Sequence, residues 1–116
     1  MTLIEVLDAL DIDSAEVLRR FGNNENLLNK FLGKFSGDHS FKMLSDAVSS
    51  NDHQGIEMYA HTLKGVSANF GMNKLSGVCS RMVEDVRQDK YDEVPGLFEE
   101  IKAEYEKIIT VLKQLD

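Results

Sequence analysis

Residues 60–71 read AHTLKGVSANFG, and they place a histidine, a lysine and a glycine within five consecutive positions. Extended backwards, the stretch has helical spacing: Ile56, Tyr59, Ala60, Leu63, Val66, Ser67 and Phe70 share one face at about 100° per residue. That face is the core side. His61 then stands roughly 160° from its centre, in solvent, with Gly65 beside it one turn later. Lys64 and Ala68 flank the same side, and Met58 lies one turn before Thr62. Gly71 is placed to end the helix as the residue after its cap. Asn51, followed three residues later by Gln54, predicts a capping box that opens it.

Outward from this helix, apolar residues recur at helical spacing almost everywhere, and no alternating strand pattern competes with them. Leu3, Ile4, Leu7 and Leu10 predict a short first helix, and DSAEVLRRF a second, capped by Asp13 or Ser14. The stripe Leu28, Phe31, Leu32, Phe35, Phe41, Leu44 and Val48 predicts one long helix from about Glu25, relaxed near Gly37. Leu75, Val78, Cys79, Met82 and Val86 mark another helix, which makes Cys79 a buried, unreactive thiol. Pro95 fits the first turn of a last helix carrying Leu97, Ile101, Tyr105, Ile108, Leu112 and Leu115. Four substantial amphipathic helices on short loops imply an all-α fold, an antiparallel four-helix bundle with one or two short N-terminal helices as a cover.

The chain has 116 residues, and this length predicts a single domain over 1–116 with a real core. One cysteine allows neither an intramolecular disulfide nor a multi-cysteine zinc site, and a reducing cytoplasm is the expected compartment. A net charge of −7 argues against nucleic acid as a partner, because phosphate binding needs a basic stripe. The acidic residues are spread along the chain and read as solvated helix faces. No signal-peptide pattern and no apolar run of membrane-spanning length occurs, so no membrane contact is expected.

The chemistry concentrates at His61. Glycine in a helix interior costs about 1 kcal/mol relative to alanine, and on the solvent side no packing contact repays it. Gly65 gives clearance instead: with no side chain one turn beyond His61, a partner's loop can reach the imidazole, with Met58, Thr62 and Ala68 as a landing surface. Lys64, three residues on, can bring its ammonium to an anion attached to the ring. Only the neutral ring is a nucleophile, and a neighbouring cation favours that form through like-charge repulsion. A neutral histidine with a cation beside it and open access suits a phosphoryl acceptor, whose transferred group carries charge on its peripheral oxygens. No P-loop or other nucleotide-binding motif is present, so the phosphoryl group comes from a partner. A metal reading places Glu57 and His61 one turn apart around an ion, but two ligands are too few and the paired E-x-x-H pattern of diiron bundles is missing. His53 and His39 read as surface or boundary residues.

The stretch resembles the signature of histidine-containing phosphotransfer (HPt) domains, approximately A-H-x-L-K-G-x-[SA]-x-x-x-G, at Ala60, His61, Leu63, Lys64, Gly65, Ser67 and Gly71. The segments DIDSAEVLRRFGNNENLLNKFLGKF and LSGVCSRMVEDVRQDKYDEV are similar to the family's flanking helices. The resemblance implies that His61 takes a phosphoryl group on its outer ring nitrogen from a receiver-domain aspartate and passes it to another. It also implies that Lys64 stabilises the group, that Gly65 permits docking, and that the domain works as a monomer. The receiver partner carries the Mg2+, and this chain needs no cofactor. Some relatives place a glutamine near the histidine from the following helix; here Val83 and its neighbours offer none, and Arg81 is only a weak substitute. Two other roles use similar features: the phosphoacceptor domain of a chemotaxis-type kinase, and a bundle that docks on receivers without transfer.

Overall fold

The computed structural model describes all 116 residues. Seven α-helices follow one another: α1 (Leu3–Ala9), α2 (Ser14–Arg20), α3 (Glu25–Ser36), α4 (Ser40–Ser49), α5 (His53–Asn69), α6 (Asn73–Arg87) and α7 (Val94–Leu112). A 3-10 turn, Tyr91–Glu93, precedes α7, and there is no strand. Short polar side chains start most helices by accepting from otherwise unpaired amides. Thr2 and Glu5 form a reciprocal capping box on α1, Asp13 caps α2, and Asn24 caps α3. Pro95 lies in the first turn of α7, where its missing N–H costs nothing.

Two expectations are corrected. The long helix from Glu25 is two helices, α3 and α4, separated by residues 37–39. The Asp38 carboxylate accepts from the Ser40 N–H at 2.7 Å, and the Gly37 and Asp38 amides close back on Lys34 and Phe35 in tight turns. A short acidic side chain that bonds the local backbone competes with the helical ladder, and glycine beside it resists least. Helix α5 also has a different cap. Asn51 has φ 53° and belongs to the end of α4, where its amide bonds Val48 O and that of Asp52 bonds Ala47 O. The cap falls to Asp52, whose carboxylate accepts from the Gly55 N–H at 3.0 Å.

Helices α3 and α4 run in tandem as one limb of the bundle; α4 packs on α5 and α7, α5 on α6, and α6 on α7, while α3 packs on α7. The chain's buried apolar side chains form one cluster from Val6 to Leu112, as expected for a single hydrophobic core. Within it Leu63 is 1 % exposed and Ala60 and Cys79 are fully buried. Burial without a compensating charge pushes the Cys79 thiol up to about 12, so it serves as a small core hydrophobe. Stacked and tilted rings join α3, α4 and α7: Phe41 lies 4.1 Å from Tyr105, and Phe35 5.7 Å from it, centroid to centroid. Helix α1 packs against α2 and α7. No helix is long and apolar enough to cross a membrane.

Candidate functional site

The fold presents α5 as the wheel requires. Ile56, Ala60, Leu63, Ser67 and Phe70 are buried, and His61, Thr62, Gly65 and Ala68 are exposed. Tyr59 and Val66 lie at the boundary between the two. Ser67 is the buried polar residue of this helix, and its hydroxyl donates to Leu63 O at 2.7 Å, so no polar atom is left unpaired beneath the site. The Thr62 hydroxyl donates to Met58 O at 3.0 Å, so it is satisfied within α5.

The end of α5 is fixed twice. Met72 N–H reaches Ser67 O at 2.9 Å and Gly71 N–H reaches Ala68 O at 3.0 Å, the paired bonds of a Schellman end. Gly71 has φ 71°, and a Cβ there would stand 2.8 Å from Val17 Cγ2 on α2. Arg20, also on α2, donates from Nη1 to Ala68 O at 2.8 Å and to Asn69 O at 3.1 Å, adding a charged donor at the carbonyl end of the helix, where its dipole is negative. Its other terminal nitrogen is held by Glu16 at 2.5 Å. The N-terminal cover therefore holds the helix that carries His61.

Around the imidazole the surface is open. A Cβ added at Gly65 meets nothing within 4 Å, so the clearance expected there is real. Met58, 54 % exposed, provides apolar surface one turn on the other side. Lys64 is half-buried along its stem and has no carboxylate partner, which leaves its ammonium free. Between Glu57 and Glu84 the sequence has no acidic residue. An open groove of about 460 Å³ runs beside Gly65, between α3 and α5; Phe35 and Phe70 contribute to its wall, and Phe31, Lys34, Asp38 and Asn69 also line it. Phe31 is 36 % exposed, with the Lys34 ammonium 5.1 Å from its ring centroid, so one rim of the groove is apolar and cationic together.

Helix α6 runs antiparallel to α5, and its register is marked by Arg87, whose Nε donates to Glu57 Oε1 at 3.1 Å. Four residues back along α6 and four residues on along α5 bring Val83 level with His61. Val83 is 3 % exposed and faces the core, so α6 offers no amide to the imidazole from that position. Arg81 is not a substitute: its Nη1 lies 3.8 Å from Glu100 on α7, across the opposite edge of α6. Glu57, the expected companion ligand in a metal reading, is engaged by Arg87, and no group of three or more metal-ligating side chains is assembled anywhere in the chain. His53 stacks on Tyr91 with centroids 3.6 Å apart, two turns before His61, and His39 is exposed at the start of α4.

The wheel of one helix identified His61, Lys64, Gly65, Met58, Ala68 and Thr62 as one surface, and the structure brings these together. It could not identify Phe31 and Lys34, which reach the same surface from α3, or Arg20 and Arg87, which act from α2 and α6. Those contacts depend on packing between helices and leave no periodic trace in sequence.

A family model described as the Hpt domain matches residues 27–111 of the chain. Searches of curated proteins and of solved structures find no match.

Proposed function

The chain belongs to the Hpt domain family, whose members carry out histidine phosphotransfer in two-component signalling by interacting with receiver domains, and from that premise we propose that His61 is the phosphoryl acceptor of a multistep relay. The observation that carries the reading is the exposed His61 with the unpaired Lys64 three residues on and unfilled space at Gly65. A receiver domain docks over Met58, Thr62, Gly65 and Ala68, and an apolar side chain of that partner enters the groove between α3 and α5 against Phe31. Docking brings the receiver's phosphoaspartate in line with the outer nitrogen of the ring.

In the transfer, the lone pair on His61 Nε2 forms the new N–P bond while the aspartyl O–P bond breaks, and the aspartate leaves as its carboxylate. The Nδ1 proton is released to solvent as the ring regains neutrality. The peripheral oxygens remain anionic throughout, and the Lys64 ammonium stabilises them there. The reverse sequence delivers the group to a second receiver. Mg2+ belongs to the receiver, and the chain acts as a single-domain monomer in the cytoplasm with no ATP chemistry of its own. The absence of acidic side chains from residues 58–83 supports this reading, because the phosphoryl group meets no fixed like charge from that span.

The test uses two receivers in turn. The protein is phosphorylated by a first phosphorylated receiver, repurified, and mixed with a second. Appearance of phosphoaspartate on the second, with loss of label from His61, is expected. A label that hydrolyses without reaching any receiver would contradict the relay.

A further inference from the structure

We infer that Arg87 is a positioning residue for the phosphoryl acceptor: by binding Glu57 it keeps a carboxylate away from His61. This role rests on the assignment of His61 and goes beyond it. Glu57 lies four residues before His61 on α5, the spacing at which side chains of one helix meet, with Cβ atoms about 5–6 Å apart. It is the first acidic residue before the acid-free span, and Glu84 is the first after it. Both are occupied. Glu57 accepts from Arg87 Nε at 3.1 Å, and Glu84, one turn before Arg87 on the same edge of α6, accepts from Gln88 Nε2 at 2.9 Å. The remaining charged group on this face of α5 is Lys64, which has no partner, while Arg81 on α6 is turned to Glu100.

A free Glu57 would act on His61 in two ways. Its carboxylate can accept a hydrogen bond from the ring and so favour the protonated imidazolium, which has no lone pair for phosphorus. It would also repel the phosphoryl oxygens as they arrive. Arg87 draws the carboxylate toward α6 and balances its charge. As an aid to stability the pair is minor, because its side chains are 53 % and 41 % exposed and such pairs contribute little. Its position one turn from the acceptor gives it a role that a surface ion pair elsewhere would lack.

The test avoids receiver docking by using phosphoramidate, a small anionic phosphoryl donor. His61 Nε2 forms the N–P bond as the donor's own P–N bond breaks, ammonia leaves, and the Nδ1 proton goes to solvent. Phosphorylation rates are followed by intact mass for the wild type, Arg87→Gln, Arg87→Lys and the double variant Glu57→Gln/Arg87→Gln, at low and high salt. Two unit charges about 6 Å apart in water change a rate by about three-fold, so Arg87→Gln should react about three times more slowly at low salt. The deficit should shrink at about 1 M salt, where the Debye length is about 3 Å. Arg87→Lys should retain most of the rate, and the double variant should regain the wild-type rate. An Arg87→Gln rate equal to wild type, or a deficit that Glu57→Gln does not repair, would overturn the role of Arg87 while leaving the acceptor assignment intact. Equal labelling of the wild type and His61→Gln would overturn the acceptor assignment, and the role of Arg87 with it.

Discussion

Substitution at Gly65 should move stability and transfer in opposite directions. Gly65 is interior to α5 and exposed, and a Cβ placed there has nothing within 4 Å, so Gly65→Ala introduces no clash. It removes the helix penalty of glycine, a gain of about 1 kcal/mol. For a domain of this size that raises the melting temperature by about 3–5 °C. Gly65→Gln keeps most of the helix gain but extends a side chain into the space one turn beyond His61. A receiver loop must use that space to bring its aspartate in line, and a displacement of about 1 Å from the productive geometry costs on the order of 100-fold. Thermal melts by circular dichroism give the stability side, and single-turnover transfer from a phosphorylated receiver gives the functional side. Phosphoramidate separates docking from chemistry, since a donor of that size should label His61 in Gly65→Gln nearly as fast as in the wild type. Acceptance from the receiver at the wild-type rate by Gly65→Gln, or a lower melting temperature for Gly65→Ala, would refute the clearance role of this glycine.

Lys64→Ala should slow transfer on the order of 100-fold by removing a positioned cation from the phosphoryl oxygens, with little change in stability, as measured by single-turnover kinetics and melting. Gly71→Ala should destabilise the fold by about 1–3 kcal/mol in urea titration, because φ 71° strains an L residue and its Cβ would meet Val17 Cγ2 at 2.8 Å. Cys79 should resist thiol reagents until the protein unfolds, since its pKa is raised from 9.0 to about 12. The sign follows from proton binding: above about pH 9.0 the unfolded thiol loses its proton while the folded one keeps it, so this group lowers stability as pH rises, at up to about 1.4 kcal/mol per unit until about pH 12. A Cys79→Ala variant should lose that part of the alkaline slope in urea titrations.

The helices and the orientation of α5 were legible because amphipathic spacing reports directly on which side a residue faces. His61, Gly65 and Ser67 fall where a 3.6-residue repeat puts them, and the left-handed φ at Gly71 follows from its place after the helix. The break at residues 37–39 was legible only in the phase of the stripe: on one continuous helix Leu44 would stand about 180° from Phe35, so placing Phe41, Leu44 and Val48 on the α3 face overlooked a change of register, which the Asp38 side chain, bonding Ser40 N–H, accompanies. The cap of α5 was misplaced by one residue for a related reason: Asn51 suits both a cap and a left-handed helix end, and the end of α4 uses it. Phe31, Lys34, Arg20 and Arg87 join the α5 surface through tertiary packing, which the periodicity of a single helix does not encode.

Phosphoryl transfer to His61 can be read directly by intact-mass analysis after the protein is mixed with phosphorylated receiver domains, with His61→Gln as the control. One added, acid-labile phosphoryl group is expected on the wild type and none on the variant, which should still bind the receiver. Equal labelling of both proteins, or no labelling of a folded wild type by any active receiver, would contradict the assignment.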